Sequence, residues 1–155
     1  MSAFESGFSF EVLNAQDRAA FSCGVEALDR YLKEQASQDL RKRAAAVFVM
    51  TVTGTNRIAG FYTLSACSID ANDLSSGLVK QLKFPRYPNL PATLVGRLAR
   101  DLSFRGQRIG ELLLVNALER ALFASEQVAS ITVVVDAKDE KAIRILPAFR
   151  VDHIS

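Results

Sequence analysis

Histidine and cysteine are scarce in this sequence. Its 155 residues include one histidine, His153, and two cysteines, Cys23 and Cys67, which lie far apart and outside any CxxC spacing. Zinc sites and disulfide frameworks need clusters of these residues, so we expect neither. Catalysis by a serine–histidine or cysteine–histidine pair would depend on His153, near the end of the chain, where order is often low. The composition therefore favours a reaction that needs no histidine and no metal.

Long apolar runs and a strong net charge are also absent. Stretches such as residues 44–52 are much shorter than the roughly 18 apolar residues that span a bilayer, and the N-terminus lacks a basic-then-apolar signal pattern. The net charge is +2, so any affinity for nucleic acid must come from local basic patches. With 49% apolar and 23% charged residues, the composition indicates one globular domain over residues 1–155, with no membrane segment, in the cytoplasm.

Hydrophobic periodicity predicts a strand, a helix and a hairpin in the first half of the chain. Apolar and polar residues alternate in residues 8–13, whereas apolar residues recur every three or four positions in residues 25–43. Two β-rich runs, residues 46–52 and 58–65, are separated by a Gly54-Thr55-Asn56 turn. They should form an antiparallel hairpin.

The second half of the chain predicts alternating strands and helices. Three prolines mark residues 70–92 as a long connection with a short helix near residues 78–82. The elements after it are a strand at 93–99, a helix at 111–125, a strand at 130–135 and a helix at 138–145. Together with the hairpin, this order predicts an α/β fold, in which a mixed sheet carries helices on both faces.

One loop between a predicted strand and a predicted helix has the composition of an anion site. It reads Arg105-Gly106-Gln107-Arg108-Ile109-Gly110. The first amides of a helix lack internal partners, glycines allow a phosphate to approach closely, and arginines add charge-assisted hydrogen bonds. The loop lacks the Gly-Lys-Ser/Thr end of a Walker loop and the GxGxxG dinucleotide pattern. It therefore fits a pyrophosphate, although a tight turn with solvated arginines would have the same composition.

The loop resembles the Arg/Gln-x-x-Gly-x-Gly/Ala signature of GNAT acetyltransferases. Further matching segments are Phe21-Ser22-Cys23-Gly24 followed by Leu28-Asp29-Arg30-Tyr31-Leu32, Ile58-Ala59-Gly60-Phe61-Tyr62-Thr63-Leu64-Ser65, Pro91 through Gly96-Arg97-Leu98-Ala99, and Val135-Asp136-Ala137. Together they are similar to the GNAT toxins of bacterial toxin–antitoxin pairs, the TacT/AtaT-like group.

This resemblance implies a GNAT fold with a mixed, mostly antiparallel sheet, and a defined reaction. The implied reaction transfers the acetyl group of acetyl-CoA to the α-amino group of aminoacyl-tRNA, which blocks translation. The resemblance also implies a homodimer and a small antitoxin protein as partner. By the same likeness, the loop from Arg105 to Gly110 binds the cofactor pyrophosphate, while the backbone of Leu98, Ala99 and Arg100 holds the pantetheine arm and polarises the acetyl carbonyl.

Basic side chains in two places are candidates for RNA contact. Lys80, Lys83 and Arg86 lie in the long connection, and Arg97 lies with Arg100 in the strand after it. A shared face would make them a phosphate track, whereas the alternative is ordinary surface charge. A third basic run, residues 41–43, is equally well explained by the favourable placement of cations at a helix C-terminus.

The sequence departs from the family pattern at two positions. Arg108 stands where the signature usually has its first glycine, and Leu146 stands where the last helix of the family carries a tyrosine, the general acid for the departing thiolate. Pro147 should end that helix, which indicates a shortened or altered C-terminus after about residue 142. Tyr62 and Tyr87 are the other candidate acids. Losing a general acid typically costs about 10²–10⁴ in rate, so we expect a slow enzyme.

Two alternatives stay open at this point. The first is an N-acetyltransferase for a small amine or a protein N-terminus. The second is a catalytically degenerate domain that binds CoA or an antitoxin without turnover, and Leu146 is the main argument for it.

Overall fold

The computed structural model describes residues 7–73, 87–137 and 142–146. Its strands are β1 (Phe8–Val12), β2 (Ala46–Val52), β3 (Ile58–Asp70), β4 (Asn89–Arg100), β5 (Val133–Ala137) and β6 (Ala142–Leu146). Its helices are α1 (Glu26–Arg30), a π-helix (Tyr31–Gln35), α2 (Ala36–Arg41), α3 (Ile109–Ala124) and 3-10 helices at Ala71–Asp73 and Leu102–Phe104. The strands are hydrogen-bonded in the order β1-β2-β3-β4-β5-β6. Within the described ranges, no helix has the length and apolar character needed to cross a membrane.

The chain divides into two compact units. The first unit comprises Met1–Leu64 and Gly96–Ala117, and the second comprises Ser65–Val95 and Leu118–Ser155. Strands β3 and β4 and helix α3 each contribute residues to both units.

In the first unit, β2 pairs antiparallel with both β1 and β3, which confirms the predicted hairpin. Because side chains alternate between the faces of a strand, neighbouring residues of β3 contact different helices. Phe61 stacks on Tyr31 of the π-helix, with ring centroids 6.2 Å apart. On the opposite face, the Tyr62 hydroxyl donates a 2.5 Å hydrogen bond to Oδ1 of Asn116 in α3. Helices therefore cover both faces of the sheet in this unit, as the sequence predicts.

The helix predicted at residues 25–43 is confirmed as a helical run with a π-turn in its middle. The π-turn contains Tyr31 and Leu32, which are both buried. At the end of the run, the Ala44 amide donates to the carbonyl of Asp39 at 2.8 Å, and Arg43 has a φ of 61°. This left-handed position after a helix is one that glycine usually occupies.

In the second unit, β4 and β5 pair in parallel and β5 and β6 pair antiparallel. The parallel register places Thr93 opposite Val133 and Val95 opposite Val135. The apolar cluster of this unit consists of Ile69, Leu90, Ala92 and Val134. With antiparallel pairs elsewhere, this one parallel pair among the described strand registers gives the mixed, mostly antiparallel sheet that the family resemblance implies.

The C-terminal element differs from the prediction. The predicted helix at 138–145 is wrong for its second half, because Ala142–Leu146 forms β6, with Ile145 opposite Val134 of β5. The isoleucines at 143 and 145 are β-branched and favour a strand, and pairing with β5 provides partners for their backbone groups. Leu146 therefore lies in a strand and not in a helix. Residues 138–141, Pro147 and the predicted helix at 78–82 lie outside the described residues.

At Gly60, in the first unit, β3 closely approaches both β4 and α3. A Cβ atom built on Gly60 would lie 2.6 Å from Cδ1 of Leu113, 2.9 Å from the carbonyl oxygen of Ala99 and 3.3 Å from Cγ2 of Ile109. The first two distances are shorter than a normal van der Waals contact. The absence of a side chain at Gly60 therefore determines how closely α3 lies against the sheet.

We expect Gly60→Ala to lower the free energy of unfolding by about 1–3 kcal/mol, because overpacking forces the backbone or Leu113 to move. Gly7→Ala is the matched control, since a Cβ atom on Gly7 would meet no atom within 4 Å. The control should change the free energy by less than about 0.5 kcal/mol. Urea denaturation followed by circular dichroism measures both values, and a Gly60→Ala protein as stable as the control would contradict the close approach.

Candidate functional site

The predicted strand–loop–helix segment lies in the first unit. Strand β4 ends at Arg100, the 3-10 helix Leu102–Phe104 follows, a turn occupies residues 105–108, and α3 begins at Ile109. All residues predicted to bind the cofactor, from Leu98 to Gly110, lie on this stretch. The end of β4 thus leads, through a 3-10 helix and a turn, into the N-terminus of a 16-residue helix.

The turn has two residues with a left-handed backbone. Gly106 has a φ of 80° and Arg108 a φ of 61°. For a residue other than glycine, this conformation costs roughly 1–2 kcal/mol. Arg108 therefore adopts a conformation that suits the glycine of the family signature, and its carbonyl accepts the Leu112 amide of α3 at 3.1 Å. Arginine in place of the signature's first glycine therefore changes the side chain at position 108 but not the backbone conformation that begins α3.

The space beside Gly106 and Gly110, at the start of α3, is open. Cβ atoms built on Gly106 and Gly110 would meet no other atom within 4 Å. Gly106 is explained by its positive φ, but no positive φ requires a glycine at Gly110. Because the first amides of a helix lack internal partners and carry the positive end of its dipole, this space fits an anionic group.

The side chains around the turn are exposed. Arg108 Nε and Glu111 Oε1 are 2.8 Å apart, with 78% and 65% of their side chains exposed. An ion pair this exposed contributes little to stability, so the guanidinium is available to exchange partners. A groove of about 600 Å³ lies beside the turn and is lined by Phe8, Gln107, Arg108, Glu111, Leu112, Leu114 and Val115. The sequence patterns did not indicate this groove.

Asp101 lies between the end of β4 and the 3-10 helix Leu102–Phe104, and the sequence patterns did not predict a role for it. It is 2% exposed and caps the 3-10 helix by accepting the Ser103 amide at 2.8 Å. It also accepts the Ser22 amide at 2.9 Å and lies 3.5 Å from Nη2 of Arg57. Burial alone would raise the pKa of Asp101, but the two amides and Arg57 outweigh it and lower the pKa. The Asp-x-Ser spacing, typical of a helix cap, is the one sequence signal for this role.

Arg97, predicted to contact RNA, is held by an aromatic ring. Its guanidinium carbon lies 3.7 Å from the centroid of Tyr31, and its amide donates to Oγ1 of Thr63 at 3.1 Å. The Tyr31 hydroxyl donates to Asp39 at 2.8 Å. Burial and this hydrogen bond raise the pKa of Tyr31 to about 12, so the ring stays neutral under Arg97.

The predicted phosphate track is only partly described. Arg97 lies on the face of β4 that meets the π-helix, and strand alternation places Arg100 on the opposite face of β4. The structure therefore does not bring Arg97 and Arg100 to one face. Lys80, Lys83 and Arg86 lie outside the described residues.

The candidate acids are placed in three different environments. Leu146 is in β6. Tyr62 is fully buried, with its hydroxyl bonded to Asn116. Tyr87 is 64% exposed. Tyr62 is thus a packing residue of the first unit.

Comparison with known proteins identifies relatives over most of the chain. No protein-family model matches it. The chain is 30% identical over 123 residues to a protein named "Probable toxin TacT" from Sinorhizobium fredii, covering 79% of this chain and 67% of that protein. It is 29% identical over 139 residues to the tRNA-acetylating toxin of Mycobacterium tuberculosis, covering 88% and 80%.

Solved structures of the toxin AtaT share the fold. AtaT in complex with acetyl-methionyl-tRNAfMet matches with a TM-score of 0.82 at 25% identity, covering 95% of this chain and 98% of that one. AtaTR bound with acetyl-CoA matches with a TM-score of 0.76 at 25% identity, covering 96% and 98%. A tyrosine-to-phenylalanine mutant of AtaT bound to the C-terminus of the antitoxin AtaR matches with a TM-score of 0.69 at 28% identity, covering 87% and 77%.

We expect Arg108→Gly to raise the free energy of unfolding by about 0.5–1 kcal/mol. The left-handed cost of roughly 1–2 kcal/mol disappears, and the added flexibility of the unfolded chain offsets part of the gain. Arg105→Gly is the matched control, because the φ of Arg105 is an ordinary −60°. The control should lower stability by about 0.4–1 kcal/mol. Equal destabilisation of both variants in urea would show that residue 108 is not left-handed.

Proposed function

The chain belongs to the GNAT acetyltransferase toxins of toxin–antitoxin pairs, and on this premise we propose that it acetylates the α-amino group of aminoacyl-tRNA with acetyl-CoA and so blocks translation. The observation that carries the proposal is the likeness, over 95% of the chain, to AtaT in complex with acetyl-methionyl-tRNA. A second likeness, to a tRNA-acetylating toxin over 88% of the chain, agrees with it.

The cofactor pyrophosphate binds at the amides of residues 107–110. Three features support this placement: the N-terminus of α3, the left-handed turn at Gly106 and Arg108, and the open space at Gly110. Arg105 and Arg108 add charge-assisted hydrogen bonds to the phosphate oxygens, with Arg108 leaving its exposed pairing with Glu111.

The acetyl end of the cofactor lies along the end of β4. The register of β4 with β5 covers residues 93–95, and Leu98, Ala99 and Arg100 lie beyond it. Their backbone amides and carbonyls are suited to pair with the pantetheine arm as an added strand does. Acetyl-CoA supplies the thioester that the amine attacks, and a backbone amide in this stretch stabilises the negative charge that develops on the carbonyl oxygen.

The phosphates of the tRNA are contacted by four basic side chains: Lys80, Lys83, Arg86 and Arg97. For Arg97, the supporting observation is the Tyr31 ring of the π-helix, which fixes the guanidinium by a contact that uses none of its hydrogen-bond donors. Arg100 lies on the opposite face of β4 and is better placed along the cofactor than along the same RNA strand.

The remaining features of the proposal concern assembly and location. The chain acts as a single acetyltransferase domain, forms a homodimer and is inhibited by a small antitoxin protein. The antitoxin is supported by the likeness to AtaT bound to the C-terminus of AtaR. We place the protein in the cytoplasm, where charged tRNA is found.

Leu146 favours one second candidate, a degenerate domain that binds CoA or an antitoxin without turnover. The residue at the family's tyrosine position has no proton to donate to a departing thiolate. Acetyl transfer to an amine nevertheless keeps the advantage of bringing the thioester and the nucleophile together. The reaction is therefore slow and not abolished.

One assay separates the proposal from its alternatives. The protein is incubated with labelled acetyl-CoA and either total charged tRNA, uncharged tRNA or free amines. Label on charged tRNA alone supports the proposed reaction, and label on free amines supports a small-amine acetyltransferase. Binding of acetyl-CoA in calorimetry without transfer to any acceptor supports the degenerate domain and contradicts the proposal.

We expect Gly110→Asp to abolish acetyl-CoA binding, because it adds bulk and negative charge where the anion binds. Gly110→Ala adds only a methyl group to open space in the protein, so its fold should be unharmed while its affinity falls. Calorimetry gives the dissociation constants, and thermal melting shows that both variants are folded. Unchanged affinity in a folded Gly110→Asp protein would remove the pyrophosphate site from residues 107–110.

We expect tRNA affinity to depend strongly on salt, because phosphate contacts release counterions. Arg97→Gln should reduce the slope of log affinity against log salt by about 0.7–0.9, the value for one lost phosphate contact. Arg30→Gln is the control, since it removes one positive charge at an exposed residue for which no RNA contact is proposed. A salt-independent affinity, or no tRNA binding, would favour the small-amine or non-catalytic alternatives.

We expect Leu146→Tyr to raise the single-turnover rate of acetyl transfer, by up to the roughly 10²–10⁴ of a positioned general acid. Leu146→Phe has similar bulk without the hydroxyl and is the control. Rates are measured with saturating acetyl-CoA and charged tRNA, alongside the acetyl-CoA affinity. An unchanged rate in Leu146→Tyr despite normal cofactor binding would mean that strand β6 does not direct residue 146 toward the thioester.

A further inference from the structure

Asp101 is a buried charge that the proposed reaction does not use. Among residues 7–72 and 87–135, for which the structure describes burial, no other Asp, Glu, Lys or Arg is buried. Its carboxylate accepts the amides of Ser22 and Ser103 at 2.9 and 2.8 Å and faces Nη2 of Arg57 at 3.5 Å. A buried carboxylate is costly unless such partners compensate it, so this arrangement depends on all three contacts being kept.

The residues next to Asp101 anchor the same segment to distant parts of the first unit. The Asp101 amide donates to the carbonyl of Ala59 at 2.9 Å, and the Leu102 amide donates to the carbonyl of Ser22 at 2.9 Å. The Phe104 ring lies 5.4 Å from the guanidinium carbon of Arg57 and 5.9 Å, edge to face, from the ring of Phe8. The segment is thus fixed directly before the turn at residues 105–108.

A buried ion pair is weak evidence for stability, since an apolar pair of similar size often serves as well. Its better-supported use is to select one arrangement of the backbone. Here the selected arrangement is the exit of β4 and the 3-10 helix Leu102–Phe104, which set where the turn begins. Burial raises the pKa of Asp101 less than Ser22, Ser103 and Arg57 lower it, so the group stays ionised at neutral pH.

We propose that Asp101 is a positioning residue for the pyrophosphate: with Arg57 and Ser22 it fixes the base of the turn, and thereby the direction of the amides of residues 107–110. This inference rests on the proposed function, because it assumes that the turn binds acetyl-CoA. Asp101 does not touch the cofactor. Changing Asp101 should therefore weaken the binding of the pyrophosphate and leave the reaction of the thioester unaffected.

The first test is Asp101→Asn, which keeps the size but replaces an acceptor oxygen with a donor and removes the charge. We expect the dissociation constant for acetyl-CoA in calorimetry to rise about tenfold, the result of losing one charged hydrogen bond in the network. Asp17→Asn is the matched control. Asp17 also accepts two backbone amides, of Ala19 and Ala20 at 3.1 and 3.4 Å, but it is exposed and not part of the segment before the turn.

The second measurement compares acetyl-CoA with S-acetyl-pantetheine, which has the same thioester and no pyrophosphate. In Asp101→Asn, kcat/KM for acetyl transfer should fall about tenfold with acetyl-CoA and stay within about twofold with S-acetyl-pantetheine. Arg57→Gln should show the same selectivity with a smaller, about threefold, loss, since Arg57 is partly exposed and Asp101 keeps both amides. This variant carries the test if Asp101→Asn does not fold.

Two outcomes would overturn the inference while leaving the proposed function intact. One is an unchanged acetyl-CoA dissociation constant in a folded Asp101→Asn or Arg57→Gln protein. The other is an equal loss with acetyl-CoA and S-acetyl-pantetheine, which would mean that Asp101 supports the whole domain and not the pyrophosphate turn. If the wild-type chain itself binds no acetyl-CoA, the proposed function fails and this inference fails with it.

Discussion

The close approach of α3 to the sheet at Gly60 is the constraint on which the candidate site depends. A Cβ atom there would lie within 3.0 Å of both Leu113 in α3 and the backbone of Ala99 in β4. Because the side chains of Leu113 and Ile109 pack directly on the backbone at Gly60, next to the carbonyl of Ala99, the start of α3 and the end of β4 are held close together in the first unit. An anion at the helix N-terminus and a chain paired along β4 then fit a single ligand, and a pyrophosphate joined to a pantetheine arm has that form.

The turn between β4 and α3 shows how a departure in sequence can preserve geometry. Arg108 replaces the usual first glycine of the signature but keeps a φ of 61°. The strain is of the kind that concentrates at ligand-binding turns. The change adds an exposed guanidinium, paired with Glu111, beside the turn that precedes α3. Leu146 is a different kind of departure, because it removes a functional group and, in β6, also places the residue on another type of element.

Local sequence patterns predicted much of the secondary structure, but they could not predict contacts between residues far apart in the chain. The hairpin follows from two β-rich runs around Gly54, and α3 from apolar residues on one face. The stretch Ala142–Leu146, in which four of the five residues are apolar, suits either a strand or a helix, and its pairing with β5 decides between them. Asp101 and Ser22 are 79 residues apart, so no sequence window contains their hydrogen bond. The loop composition indicated an anion site, whereas the open space at Gly110 needed coordinates.

The most direct measurement of the central claim is the change in backbone amide chemical shifts when acetyl-CoA is added to the ¹⁵N-labelled protein. If the N-terminus of α3 holds the pyrophosphate, the largest changes fall on the amides of residues 107–110, and S-acetyl-pantetheine, which lacks the pyrophosphate, leaves those amides nearly unchanged. Saturating binding of acetyl-CoA with no shift at these amides would contradict the account.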